Sequence, residues 1–242
     1  MSTRLYCPQE SLAPGAHVIL PTVAAHHVAQ VLRCSEGTSL ILFDGRGGEW
    51  TAIITQLRKN EVQVVLTSFD EIERESRLSM TLIQALPAAD KMDWIVQKCT
   101  ELGVAKILPV ASKRSIVRLS GERMERRVLH WQGVAAAACE QCGRNRVPQV
   151  APVLSLTQCL SQLPEETRLI LSPQASQPLS ELQPPSSALT LLIGPEGGFE
   201  EGEYQAAARL GFQSVTLGPR VLRTETAGVA ALAAMNALWD NF

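Results

Sequence analysis

Two stretches near the C-terminus carry the residue types and spacing that chemistry needs. The first is Leu191-Leu192-Ile193-Gly194-Pro195-Glu196-Gly197-Gly198-Phe199. The second is Leu217-Gly218-Pro219-Arg220-Val221-Leu222-Arg223-Thr224-Glu225-Thr226-Ala227-Gly228. Each is an apolar run that stops at a Gly-Pro pair and passes towards a helical pattern. Pro cannot continue a strand ladder and Gly permits positive φ, so each pair marks a strand end. Two such ends side by side would form a crevice lined by backbone N–H and C=O groups, where open α/β sheets bind their ligands. The first loop lacks the Lys-Ser/Thr of a triphosphate loop and the G-x-G-x-x-G of a dinucleotide fold. Glu196 would add negative charge where phosphates sit, so a neutral or cationic ligand fits better. The bland reading, a glycine-rich turn and nothing more, stays open on spacing alone.

The elements that must position these loops follow from the chain's texture. The 242 residues are 45% apolar and 19% charged, an ordinary globular composition with room for one large or two smaller domains. Residues 1–72 read as a small β-rich unit. The Asp44-Gly45-Arg46-Gly47-Gly48 turn joins strands Ser39–Phe43 and Glu49–Thr55, and a short helix is expected over Thr22–Arg33 with Thr22 as N-cap. That helix puts Val23, His27 and Val31 on one face. The charged run Asp70–Arg77 reads as an exposed connection, and the domain boundary is placed there. From residue 73 to 242, strands and helices alternate, which predicts an α/β domain with a mainly parallel sheet. The last helix, expected over Gly228–Trp239, is apolar nearly all round and rich in alanine. It must be buried either inside the monomer or against a second subunit.

Other candidate chemistry is weaker. Cys139 and Cys142 form one C-x-x-C with no second pair, a poor zinc signal and only a spacing-level redox signal. His26 and His27 are adjacent, so on a helix they point apart, and no metal site is expected. The net charge of −2 excludes a uniformly basic nucleic-acid binder. Between Lys113 and Arg146, however, eight basic residues stand against Glu122, Glu125 and Glu140. That local excess is either a phosphate-binding patch or a solvated helix face with pairs such as Glu122–Arg126. No secretory leader pattern and no apolar run of roughly 18 residues is found, so a cytoplasmic protein away from membranes is expected.

The two loops also resemble the signature loops of the RsmE-type ribosomal RNA methyltransferases of the SPOUT superfamily. The segments Lys91-Met92-Asp93-Trp94-Ile95-Val96-Gln97-Lys98-Cys99-Thr100-Glu101-Leu102-Gly103-Val104 and Glu140-Gln141-Cys142-Gly143-Arg144 are similar to two further family segments, and His27-Val28 with Val31-Leu32-Arg33 resembles the family's N-terminal domain. The family more often has Ser where Cys142 stands. The resemblance implies a PUA-like RNA-binding β-barrel over residues 1–72 and a SPOUT methyltransferase domain with a deep trefoil knot over residues 73–242. It implies S-adenosylmethionine bound in the knotted loops, a homodimer with the active site near the interface, and methylation of N3 of a uridine in 16S rRNA of the small ribosomal subunit.

On that resemblance, adenine would be read by backbone groups around Leu217, Gly218 and Leu222, with Ile193, Gly194, Pro195 and Gly197 as the opposing wall. Methyl transfer mainly needs alignment of acceptor, methyl and sulfur. The uracil N3 proton must leave and the base must be unpaired or flipped. Arg223, Glu225 and Glu196 are the local candidates to assist, although Arg223 and Glu225 could equally be a structural ion pair. Arg33, Arg114, Arg118, Arg144 and Arg146 are the candidate phosphate contacts, which would position RNA rather than read it. A non-catalytic RNA-binding assembly factor and a SPOUT enzyme with another RNA target are the alternatives.

Overall fold

The computed structural model describes residues 3–9, 12–58, 61–88, 90–115, 121–239 and 241. The chain divides into two compact units, residues 1–75 with 136–147, and residues 76–135 with 148–242.

The first unit is built on strands β1 (Arg4–Tyr6), β2 (His17–Ile19), β3 (Ser39–Phe43), β4 (Glu49–Arg58) and β5 (Glu61–Asp70). They lie in the order β1-β3-β4-β5-β2, and among the described residues this sheet is open rather than closed on itself. Alternation sets its face: Trp50, Ala52 and Ile54 on β4 and Val62, Val64 and Leu66 on β5 all point into one core with Leu5, Leu40 and Leu42. The β3–β4 turn needs its glycines. Gly48 has φ +66, and a Cβ there would lie 2.3 Å from the Phe69 ring.

The expected helix over Thr22–Arg33 is two pieces. Helix α1 (Thr22–His26) starts after Pro21, which holds the N-cap position expected for Thr22, and a π-helical turn follows over His27–Val31. Ala24, Ala25 and Val28 are buried, whereas Val23 and Val31 are exposed. The stripe of Val23, His27 and Val31 therefore faces outward. Val28, three and four residues after Ala25 and Ala24, shares their buried face instead.

The charged run after β5 is a clasp rather than a bare linker. Arg144 binds Glu75 through Nε at 3.0 Å, Arg146 binds Glu73 at 3.2 Å, and Arg74 binds Glu49 at 3.0 Å. The Asn145 side-chain amide donates to the Ile72 carbonyl at 2.8 Å. Opposite charges on 73–75 and 144–146 thus tie the loop after Cys142 into the first unit.

The second unit is a parallel sheet with flanking helices. Its strands are β6 (Ser79–Ala85), β7 (Lys106–Ala111), β8 (Gln149–Val150), β9 (Leu154–Ser155), β10 (Thr167–Leu171), β11 (Ala188–Ile193) and β12 (Gln213–Val215). Their order is β12-β10-β11-β6-β7-β8, with β9 also pairing β7, and every pair is parallel. The central strands β6 and β11 are buried along nearly their whole length, as covered parallel strands are. The helices are α2 (Lys91–Glu101), α3 (Glu122–Cys142), α4 (Leu156–Leu160), α5 (Glu201–Arg209) and α6 (Thr224–Leu238). Gly103, Gly143 and Gly211 follow α2, α3 and α5 at positive φ, each as a C-terminal stop.

Helix α6 begins four residues before the expected Gly228, because Arg223 takes the extended cap conformation. One face, with Ala227, Gly228, Ala231, Leu232, Met235 and Asn236, is buried in the chain. Ala230, Ala233 and Ala234 are half-buried, Ala237 is exposed and Leu238 is 49% exposed. Among the described residues no helix is long and apolar enough to cross a membrane.

Candidate active site

Because β10, β11 and β12 run parallel, their C-terminal ends open on one edge of the sheet. There the chain encloses a cavity of about 830 Å3. Its walls are the 193–199 loop after β11, the 216–223 loop after β12, the end of β10 and the first turn of α6.

The first loop turns tightly at 195–198, where the Gly198 N–H donates to the Pro195 carbonyl at 2.9 Å. Gly194 lies under the Phe199 ring, and a Cβ on it would come within 3.2 Å of that ring. In the second loop the Thr216 hydroxyl donates to the Gly218 carbonyl at 3.0 Å and accepts from the Gly218 N–H at 3.3 Å. That pins Gly218 at φ +105. Loop and helix are then joined across the cavity floor. The Gln84 side-chain amide donates to the Thr224 hydroxyl at 3.0 Å, and that hydroxyl donates to the Gly194 carbonyl at 2.6 Å. Gln84 is fully buried, so this relay is shielded from water.

Charge is arranged in two groups. Lys91, at the start of α2, sits between two carboxylates: Nζ is 3.1 Å from Glu196 Oε1 and 3.2 Å from Glu225 Oε2. Glu196 also accepts from the Ala88 N–H at 3.0 Å. Burial alone would raise the Glu196 carboxyl. Hydrogen bonds from its own backbone N–H, from Ala88 and from Lys91 outweigh that and hold it below the ordinary carboxylate range. Lys91 is correspondingly held more firmly protonated, by Glu196 first and Glu225 second. The second group is Arg114, Arg220 and Arg223, three exposed guanidinium groups that line the cavity. Arg114 donates to the Gly197 carbonyl at 2.9 Å. Among the described residues none of the three pairs with a carboxylate.

The structure brings most of the sequence candidates together. Ile193, Gly194, Pro195, Glu196, Gly197, Leu217, Leu222, Arg223 and Arg114 line the cavity. Gly218 and Glu225 do not; the first shapes the turn behind Leu217, and the second points to Lys91. The expected alternative of an Arg223–Glu225 ion pair is corrected, since Glu225 takes Lys91 as its partner. With both carboxylates already engaged by one ammonium, neither is set up as a strong general base.

The basic-patch reading also changes. Arg126 pairs with Glu122 at 3.2 Å and Arg127 with Asp90 at 3.0 Å, so the excess on α3 is offset by nearby carboxylates. Arg144 is 4% exposed and bound to Glu75, so its guanidinium is not presented to a phosphate and it leaves that set. Arg146 is exposed but holds Glu73. Arg33 is exposed in the first unit, at φ 51. Arg118 lies outside the described residues. Cys139 is fully buried, burial pushes its thiol up to about 12, and its Sγ donates to the Arg146 carbonyl. That is the environment of an inert packing residue rather than a redox thiol.

Lys91, Gln84 and Thr224 had no role assigned from sequence. Lys91 stands 105 residues from Glu196, and Gln84 stands 140 from Thr224. Only the fold makes them neighbours. Among the described residues no cluster of His, Cys, Asp and Glu could hold a metal ion.

Comparison with known proteins bears on this geometry. Residues 74–236 match the RNA methyltransferase domain model, and residues 24–67 match the RNA methyltransferase PUA domain model. Ribosomal RNA small subunit methyltransferase E of Synechocystis is 34% identical over all of this chain and 79% of its own length. Its Bacillus subtilis namesake is 31% identical, over 87% of this chain and 86% of its own length. Among solved structures, the Neisseria gonorrhoeae ribosomal RNA small subunit methyltransferase E bound to S-adenosyl methionine superposes with a TM-score of 0.94. That pair is 44% identical, covering 99% of this chain and 98% of the other. A Legionella pneumophila methyltransferase in complex with the bound cofactor also gives 0.94, at 38% identity and 98% coverage of both chains. A PUA-like N-terminal domain is thus followed by a parallel-sheet RNA methyltransferase domain, and with a relative at 34% identity over the whole of it the chain belongs to the ribosomal RNA small subunit methyltransferase E family.

Proposed function

We propose that this protein transfers a methyl group from S-adenosylmethionine to N3 of a uridine in 16S rRNA of the small ribosomal subunit. The observation that carries the reading is the cavity between the 193–199 and 216–223 loops, with Gly194 and Gly197 in its wall and Arg114, Arg220 and Arg223 lining it. Its volume and mixed lining suit a nucleoside-sized ligand. The relatives whose structures contain the cofactor match the chain over nearly its whole length.

Ile193, Gly194, Pro195 and Gly197 would hold the cofactor from one side and Leu217 and Leu222 from the other, with Gly218 fixing the course of the second loop. When bound, the cofactor supplies an electrophilic methyl group on a sulfonium. The chain's own work is to align the acceptor and manage its proton. Arg223 borders the cavity and is the group placed to stabilise negative charge as uracil N3 loses its proton. Glu196 and Glu225 act on the reaction through Lys91 and the loops they anchor. Arg114 and Arg220 at the rim receive RNA phosphates, and Arg33 and Arg146 are the phosphate contacts of the first unit.

The finer architecture belongs to the same proposal. The first unit, taken as residues 1–72 plus the returning loop, works as a PUA-like RNA-binding barrel. The second carries the trefoil knot, with the two cavity loops as its threaded segments. The outward alanine face of α6 is the homodimer contact, since an apolar helix face this long seeks a partner. The protein acts in the cytoplasm, where its ribosomal substrate is assembled.

The test uses small subunits that lack the modification, incubated with the protein and methyl-labelled S-adenosylmethionine, then digested to nucleosides. Label in 3-methyluridine is the expected result. Label in another nucleoside would keep the enzyme and change its target. No label together with no cofactor binding would overturn the enzyme in favour of a non-catalytic assembly factor.

A further inference from the structure

We propose that Lys91 is a positioning residue that sets the distance between the two cofactor loops from outside the cavity. The inference rests on the cofactor reading above. Lys91 does not line the cavity, yet its ammonium is the point where both walls meet: Glu196 lies within the first loop, and Glu225 follows the second loop by two residues. Both carboxylates are about 3 Å from the same nitrogen. Without that cation two anions would be left close together behind the cavity walls and would push the two loops apart. The three side chains are between 18% and 31% exposed, so solvent screens this charge only in part. The charged groups facing Glu196 are Lys91 from α2 and Glu225 from α6, and Arg114 reaches the same loop at Gly197. An ordinary surface ion pair contributes little. A cation shared between two loops differs because its removal is repulsive rather than neutral.

The test is calorimetric titration of S-adenosylmethionine into the wild-type protein, Lys91→Met and the double variant Lys91→Met/Glu225→Gln, with melting temperatures measured in parallel. Lys91→Met is expected to bind about tenfold more weakly, from repulsion between close like charges, at an almost unchanged melting temperature. Its lost affinity should also recover as pH falls, because Glu196 without the cation takes up its proton at a higher pH than in wild type and the opposed charge then disappears. The double variant removes one of the opposed carboxylates, so most of the lost affinity should return. Wild-type affinity in Lys91→Met, or a double variant weaker than the single one, would overturn the positioning role alone. A wild-type protein that binds no cofactor would overturn the cofactor reading and this inference with it.

Discussion

The Thr224 hydroxyl donates to the Gly194 carbonyl at 2.6 Å, joining the first residue of α6 to the residue that follows β11. The bond is fed from below by Gln84, so three segments share one buried hydroxyl. Thr224→Val keeps the shape and removes the hydroxyl. It leaves a buried donor and a buried acceptor unmet, a loss of about 1–3 kcal/mol. Denaturant unfolding should show that loss and cofactor titration should show weaker binding. Thr224→Ser, which keeps the hydroxyl, should restore most of both. A valine variant as stable and as avid as wild type would show that the relay carries no strain-bearing role.

Gly218 makes a different demand. A Cβ at this position would meet no atom within 4 Å, so crowding is not the reason for glycine. Its φ of +105 is the reason. Side-chain-bearing residues avoid that conformation at a cost of about 1–3 kcal/mol. Gly218→Ala and Gly218→Val should therefore weaken cofactor binding to a similar degree, through a shifted Leu217–Leu222 loop. Titration of the two variants checks this: a graded loss with side-chain size would point to crowding by the ligand instead.

Both loops were legible in the sequence because their signals are local. A Gly-Pro pair after an apolar run, and a glycine after an amphipathic run, act through the conformations of the residues themselves. Hence the strand ends at Ile193 and the stops at Gly103, Gly143 and Gly211 are visible without a structure. The Lys91 triad and the Gln84 relay were not legible, because nothing within ten residues of Lys91 says which carboxylates it will meet. Charge counting failed on α3 for the same reason. It saw Glu122 beside Arg126 but not Asp90, which arrives from another element to neutralise Arg127. The outward face of Val23 and Val31 was hidden because spacing shows which residues share a helix face but not which face meets the core, and the face of Ala24, Ala25 and Val28 takes that place.

The corrected charge map separates two sets of arginines. Arg114 and Arg220 line the cavity without carboxylate partners among the described residues, whereas Arg126 and Arg127 are paired. RNA binding measured across salt concentrations should show a slope reduced by about 1.5–2 in Arg114→Ala/Arg220→Ala, the two rim arginines assigned to phosphates, since each phosphate contact releases counterions. Arg126→Ala/Arg127→Ala should leave the slope unchanged. The reverse pattern would move the RNA path onto α3.

Glu49 offers a test of the first unit by pH. Its side chain is 13% exposed, and Oε2 accepts from Arg4 at 2.6 Å, Arg74 at 3.0 Å and Asn145 at 3.2 Å. Burial raises this carboxyl, but the bonds from Arg74, Arg4 and Asn145 outweigh it and leave the group below its ordinary value of 4.5. A carboxyl depressed by folding stabilises the native state at every pH above its unfolded value, and that stabilisation is lost as pH falls through the folded one. Glu49→Gln keeps an acceptor but removes the charge from two guanidinium partners, a loss of about 1–3 kcal/mol at neutral pH. The gap between wild type and variant should hold constant down to the ordinary carboxylate range and narrow only below it. Urea unfolding across that range measures the gap directly. A gap that narrows already at pH 6 would mean that Glu49 is not held ionised by these partners, and that the loop around Asn145 is secured by other contacts.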